Sequence, residues 1–208
     1  MAAPEDGRTP AFTLARRPTP PHTFPVKINL GKVGTRPAAL ETDDMDHHIV
    51  IAIDGTSASG KSTNAKLIAR SLGYVYVDTG AMYRTLAWFC LKKNVDVNDH
   101  KAVASLCRRW NSELKCIEGD LRQVQLLVDH YYPEKEIRTA ETSAAVPAVA
   151  AVPKVREWMK KAQRQCISFG NLVMEGRDIG TNIFPETDFK FYLDAKLADR
   201  TARRQAEG

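Results

Sequence analysis

The clearest chemistry in this chain lies in one short run, Gly55-Thr56-Ser57-Ala58-Ser59-Gly60-Lys61-Ser62, followed by Thr63. It matches the pattern GxxxxGK[ST]. Two glycines let a backbone curl around phosphate so that its N–H groups point inward. A helix beginning there adds its positive end. Lys61 then supplies a charge for the β- and γ-phosphates, and the Ser62 hydroxyl is a ligand for Mg²⁺. The plain alternative is an ordinary Gly/Ser turn. Against it stands the location, directly after an apolar run and at the head of a helical pattern. The run implies a nucleoside triphosphate site. It does not select a reaction, because kinases, GTPases and motors share it.

The elements that must position this loop are legible around it. Ile49-Val50-Ile51-Ala52-Ile53 is continuously apolar, as expected of a strand buried on both faces. A helix is expected from Lys61, with Ala65, Ile68 and Leu72 on its inner face and Gly73 as its stop. A second strand is expected over residues 74–77 and a helix over 80–93. Residues 98–138 read as a small insert rather than more parallel sheet: a helix near His100–Arg109, then strands at 114–117 and 124–128 around a Gly119-Asp120 turn. Pro153 suits the first turn of a long helix carrying Val155, Trp158, Met159, Ala162 and Cys166. Leu172-Val173-Met174 and Phe189–Leu193 read as further buried strands, the latter leading into a basic helix. Strands alternating with helices predict an α/β fold, a doubly wound parallel sheet with helices on both faces.

The rest of the composition bounds the function. The chain has 208 residues, 43% hydrophobic and 26% charged, enough for one globular domain. Residues 1–47 hold seven of the eleven prolines with little apolar periodicity, so they read as a disordered extension ahead of a domain over 48–208. Lys and Arg exceed Asp and Glu by 30 to 25; six of each sign fall in residues 1–47, so the surplus lies beyond them. A surplus of that size fits an anionic ligand. Cys90, Cys107, Cys116 and Cys166 lack metal or redox spacing and read as buried free thiols. The five histidines also lack ligand spacing; His47-His48 beside carboxylates reads as a solvated boundary. The first thirty residues lack a secretory apolar core, and Glu5 and Asp6 disfavour a transit peptide. The uncharged stretch over 142–153 is too short to span a bilayer. The expectation is a cytoplasmic protein with no nucleic-acid or membrane partner.

Further motifs carry a resemblance. Asp78-Thr79-Gly80-Ala81-Met82-Tyr83-Arg84, Glu136-Ile137-Arg138-Thr139, Val155-Arg156-Glu157 and Glu175-Gly176-Arg177-Asp178-Ile179-Gly180-Thr181, with Phe184-Pro185, follow the loop in that order. From about Ile49 onward the chain resembles the bacterial cytidylate kinases. The resemblance implies transfer of a phosphoryl group from ATP, with Mg²⁺, to CMP or dCMP by a monomer. It also implies that Lys61, Arg84 and Arg177 serve the chemistry. Arg84, Arg138 and Arg177 would hold the acceptor phosphate, with Thr79 near it; planar guanidiniums grip phosphate with paired bonds. Taken singly, each arginine reads as a solvated surface residue. Asp178 would accept from the cytosine amino group and Arg156 would donate to the base acceptors; uracil offers an acceptor where cytosine has its donor. The plain reading of Asp178 is an ion pair with Arg177 or a turn cap. Asp54 is expected to orient the Mg²⁺ shell or the loop backbone, and Tyr83 to be packing.

Two departures from the family pattern shape the expectations. Pro147 stands where the family has a hydroxyl facing the base, so one base contact is expected to be missing and that helix bent. Family members also continue past the equivalent of Gly208 with an arginine-rich lid and a last strand; here Arg200, Arg203 and Arg204 begin that region. The alternative expectation is therefore a truncated relative that binds nucleotides with little turnover, its Phe189–Leu193 strand left with an open edge. In a third reading the extension is a partner-binding segment and the domain its passenger.

Overall fold

The computed structural model describes residues 26–27, 48–198 and 200–201. Seven strands form one sheet in the order β1-β4-β5-β3-β6-β2-β7. They are β1 (Val26–Lys27), β2 (Val50–Gly55), β3 (Val75–Asp78), β4 (Ser112–Ile117), β5 (Gln123–Val128), β6 (Leu172–Gly176) and β7 (Phe189–Leu193). The helices are α1 (Lys61–Leu72), α2 (Thr79–Lys92), α3 (His100–Arg109), α4 (Ala140–Ala151) and α5 (Pro153–Gln165). β3, β6, β2 and β7 pair in parallel, so their carboxyl ends line one edge.

Strand parity sorts the core into two layers. In β2, Val50 and Ala52 face a large cluster with α2, α3, α4 and α5, while Ile51 and Ile53 face a small one with α1. β3 and β6 follow suit: Val75, Val77, Leu172 and Met174 point to the large cluster, Tyr76 and Val173 to the small one. Because both faces are covered, these strands are apolar almost throughout, the signal read from the sequence. Trp110 and Trp158 meet edge to face at 4.8 Å in the large cluster. All four cysteines are buried and free, as expected, and burial pushes the Cys90 and Cys116 thiols up to about 11.

Three expectations need correction. β4 and β5 form the expected hairpin, but β5 pairs in parallel with β3, so the hairpin extends the main sheet instead of standing apart. Leu72 is half exposed, and Ala65 and Ala69 make the buried face of α1. β7 is in place, yet Phe189, Phe191 and Tyr192 are exposed and not buried as expected. The extension expected over 1–47 lies outside the described residues apart from Val26–Lys27, which pair antiparallel with Leu114 and Glu113. Arg203 and Arg204 are also outside them.

Candidate nucleotide site

The site is built on the carboxyl ends of three neighbouring strands. Asp78 of β3 is paired with Glu175 of β6 and Glu175 with Ile53 of β2, giving one row across the sheet; Asp54, paired with Gly176, lies one residue beyond it. Crevices at this edge of a parallel sheet are where ligands bind.

The loop after β2 folds as its glycines dictate. Gly55 has φ 147°, and a Cβ there would lie 1.9 Å from the Leu193 carbonyl oxygen of β7. Gly60, at φ 95°, caps α1 in the left-handed region, and Ala58 joins it at φ 59°. Thr56 donates to Asp194 Oδ1 at 3.0 Å, bracing the loop against the end of β7. Lys61 lies against the loop and donates to the Thr56 carbonyl oxygen. Burial holds its ammonium below the usual lysine range; nearby Glu175 opposes that and Arg177 adds to it. Ser59 Oγ is buried without a hydrogen-bond partner among the described residues. A buried hydroxyl left unpaired costs stability, and inside this loop a phosphate oxygen would satisfy it. Ser57 belongs to the same curl, and Thr63 is exposed in the first turn of α1.

Glu175 is the hub of the row. Its Oε2 accepts from Ser62 Oγ at 2.9 Å, and its Oε1 accepts from the Tyr76 hydroxyl. Burial pushes this carboxyl above its usual range, with Asp78 adding to the shift. The same burial pushes the Tyr76 phenol far above its ordinary value, so it remains a donor. Ser62 and Glu175 form a hydroxyl–carboxylate pair at the start of α1. No group of three or more His, Cys, Asp or Glu among the described residues is arranged to hold a metal. One hydroxyl and one carboxylate suit a cation that keeps its waters and takes other ligands from phosphate, as Mg²⁺ does.

Asp54 is engaged with a different segment from the phosphate-loop backbone expected of it. Its oxygens accept from the Ile179 and Gly180 N–H groups at 2.8 and 2.9 Å, so it holds the backbone of the segment after β6. That segment makes one π-helical turn, Ile179–Ile183. Asp178 lies half-buried at its head, 3.7 Å from Arg156 of α5, and accepts from Asn182 Nδ2 at 3.0 Å. The ion pair expected with Arg177 is therefore made with Arg156. Tyr83 of α2 is exposed to both charges, the Asp178 carboxylate raising and Arg156 lowering its phenol, with burial the larger cause of its net rise.

Arg84 is tied to Asp78 at 2.9 Å, and Asp78 also caps α2 through the Ala81 N–H. Arg138 is exposed in a short turn, Glu136–Arg138. Tyr132 is within reach of the charges of Asp78, Arg138 and Arg84 together, which gathers these three on one side of the row. Arg177 is exposed, close enough to Lys61 for their charges to repel. Thr79 is buried and donates to the Glu175 carbonyl oxygen at 2.7 Å, tying α2 to β6, so its hydroxyl is not turned toward an open acceptor side. α4 continues through Pro147, which leaves the Ser143 carbonyl without its helical donor. Sequence reasoning quoted Glu175 and Asp78 without giving either a task. It passed over Tyr76, although a phenol in a buried strand needs a partner.

A buried strand, a glycine-cornered loop and a helix whose first residues are Lys and Ser, at the carboxyl edge of a parallel sheet, define the P-loop class of nucleotide-binding proteins. The family model for cytidylate kinase matches residues 51–208. The chain belongs to the cytidylate kinase family. It is 43% identical over 158 residues to the bifunctional pantoate ligase/cytidylate kinase of Acaryochloris marina (strain MBIC 11017), covering 76% of this chain and 30% of that protein. It is 43% identical over 157 residues to the cytidylate kinase of Limosilactobacillus reuteri (strain DSM 20016), covering 76% of this chain and 68% of that one. With the cytidylate kinase of Geobacillus sp. (strain WCH70) the identity is 44% over 164 residues, covering 78% and 71%. The match thus spans under a third of the bifunctional relative and about two thirds of the others.

Proposed function

We propose that this chain transfers the γ-phosphoryl of ATP to CMP or dCMP, giving ADP and the nucleoside diphosphate. The observation that carries the reading is the adjacency of Asp78 and Glu175 at the carboxyl ends of β3 and β6, with Ile53 opposite Glu175 and Asp54 one residue beyond, and with the phosphate loop and the Asp178–Arg156 pair beside them. The match to curated cytidylate kinases supports the same reaction. The working unit is residues 48–208, with the hairpin region 98–138 serving the acceptor side and residues 1–47 as an extension. Nucleotides are its partners, and it acts as a cytoplasmic monomer.

In this reading residues 55–63 hold the ATP phosphates. Backbone N–H groups, the Ser59 hydroxyl and the Lys61 ammonium meet the charge, and Ser62 with Glu175 holds the cation. Mg²⁺, when bound, neutralises the β- and γ-phosphate oxygens. Arg84, Arg138 and Arg177 draw in the acceptor phosphate. Arg84 exchanges its Asp78 partner for that phosphate, which leaves Asp78 to its capping bond. Asp178 accepts from the cytosine amino group while Arg156 donates to the ring acceptors; Thr79 contributes by fixing α2 against β6. The acceptor oxygen is already ionised, so no side chain need remove its proton, and positioning dominates catalysis.

The test is coupled ADP release with CMP, dCMP and UMP, alongside Asp178→Asn. CMP or dCMP should lead UMP clearly, and Asp178→Asn should narrow the gap, because a mismatched buried group costs about 1–3 kcal/mol. Equal use of CMP and UMP by the unsubstituted chain would overturn the base assignment. Binding of both nucleotides without transfer would favour the non-catalytic alternative, which no observation here supports.

A further inference from the structure

The phenol of Tyr76 has no task in the mechanism above, yet it lies beneath the phosphate loop. We infer that Tyr76 is a positioning residue of the nucleotide site: its hydroxyl anchors one oxygen of Glu175, so that the other faces Ser62 and presents its hydroxyl to the cation. The inference rests on the nucleotide-site reading and deepens it.

Parity makes the arrangement. Tyr76 and Val173 are paired across β3 and β6, and Glu175 lies two residues beyond Val173 on the same face. That diagonal is within reach of an aromatic side chain. The face is the one α1 covers, so a carboxylate there meets the first turn of α1, where Ser62 stands. Tyr76 is buried, and a phenylalanine would fill the same space in that layer. What phenylalanine would lack is a donor. Glu175 is nearly buried, and a carboxylate with one unanchored oxygen is free to rotate away from Ser62. With Oε1 held by Tyr76 and Oε2 on Ser62, one orientation remains. The phenol donates to Glu175, so it acts through that carboxylate.

A merely structural tyrosine would weaken the site whether or not metal is present; a positioning one acts on the metal-dependent part. The experiment is calorimetric titration of ADP into the full chain, with and without Mg²⁺, for the unsubstituted protein, Tyr76→Phe, Glu175→Gln and the double variant. Metal-free ADP affinity of Tyr76→Phe should stay within about two-fold. The tightening produced by Mg²⁺ should shrink about ten- to a hundred-fold, the size of one hydrogen bond to a charged group. In the Glu175→Gln background, which also removes the buried charge that could unfold the single variant, Tyr76→Phe should change the Mg²⁺ effect no further. Full Mg²⁺ tightening in Tyr76→Phe, equal loss with and without metal, additive losses in the double variant, or no Mg²⁺ effect in the unsubstituted chain would each overturn the role of Tyr76 and leave the nucleotide site standing. Absence of any ADP binding by the unsubstituted chain would instead overturn the nucleotide-site reading, and this inference with it.

Discussion

Asp54→Asn isolates the carboxylate that joins β2 to the segment after β6. Asp54 is 8% exposed and accepts two backbone hydrogen bonds, at 2.8 and 2.9 Å. A hydrogen bond to a charged group contributes about 1.5–3 kcal/mol, and an N–H left buried without a partner costs a similar amount. The amide keeps one acceptor and turns its own N–H₂ toward the second donor, so one bond is lost and one donor stranded. The expected loss is therefore about 2–4 kcal/mol. For a domain of this size each kcal/mol lowers Tm by roughly 2–4 °C, which puts the expected fall at about 4–16 °C by calorimetry. Arg177 and Asp178 directly precede the released backbone, so CMP affinity should fall further than ATP affinity. A Tm within about 2 °C of the parent, with unchanged CMP affinity, would refute the argument that these two bonds hold the segment.

Lys61→Ala removes the charge inside the loop and should abolish nearly all transfer and most ATP affinity; unchanged binding and turnover would contradict the loop assignment. Gly55→Ala drives a methyl against the Leu193 carbonyl, which is backbone and cannot rotate aside, so Tm and ATP binding should both collapse; a variant with parental Tm would show that β7 yields. Glu186 accepts from Arg164 at 2.7 Å, and that bond holds its carboxyl below the usual 4.5. A depressed folded pKa means the stabilisation is complete above the ordinary glutamate range and is lost as pH falls through the folded value. Urea melts of the parent and Glu186→Gln should differ at neutral pH and converge in acid; a difference that grows in acid would reverse the sign.

The parallel sheet and the phosphate loop were legible because each rests on a local signal. Ile49–Ile53 is apolar throughout, and the loop's glycines sit where φ is positive. Pairing partners were not. Residues 123–128 look like half of an isolated hairpin, and only the parallel contact with β3 makes them main sheet. The exposure of Phe189 and Phe191 is likewise set by what covers β7, a fact that the run Phe-Lys-Phe-Tyr-Leu cannot state. Among site residues, Lys61, Ser62 and the arginines were readable from motif and resemblance. The Tyr76–Glu175–Ser62 chain was not, because its members stand 99 and 113 positions apart in pairs that only the fold brings together.

The unequal thickness of the two core layers bears on how the domain breathes. α1 fully buries only Ala65 and Ala69, while Leu67 and Leu72 are each half exposed. Little apolar area therefore docks this helix, and helices so held exchange their amide protons by local opening long before global unfolding. Its first turn is also where phosphate and cation would bind, and a ligand that binds only the docked form raises the free energy of that opening. Amide exchange in α1 should therefore slow on nucleotide binding far more than in α5, whose Trp158, Met159 and Ala162 are already locked into the larger layer.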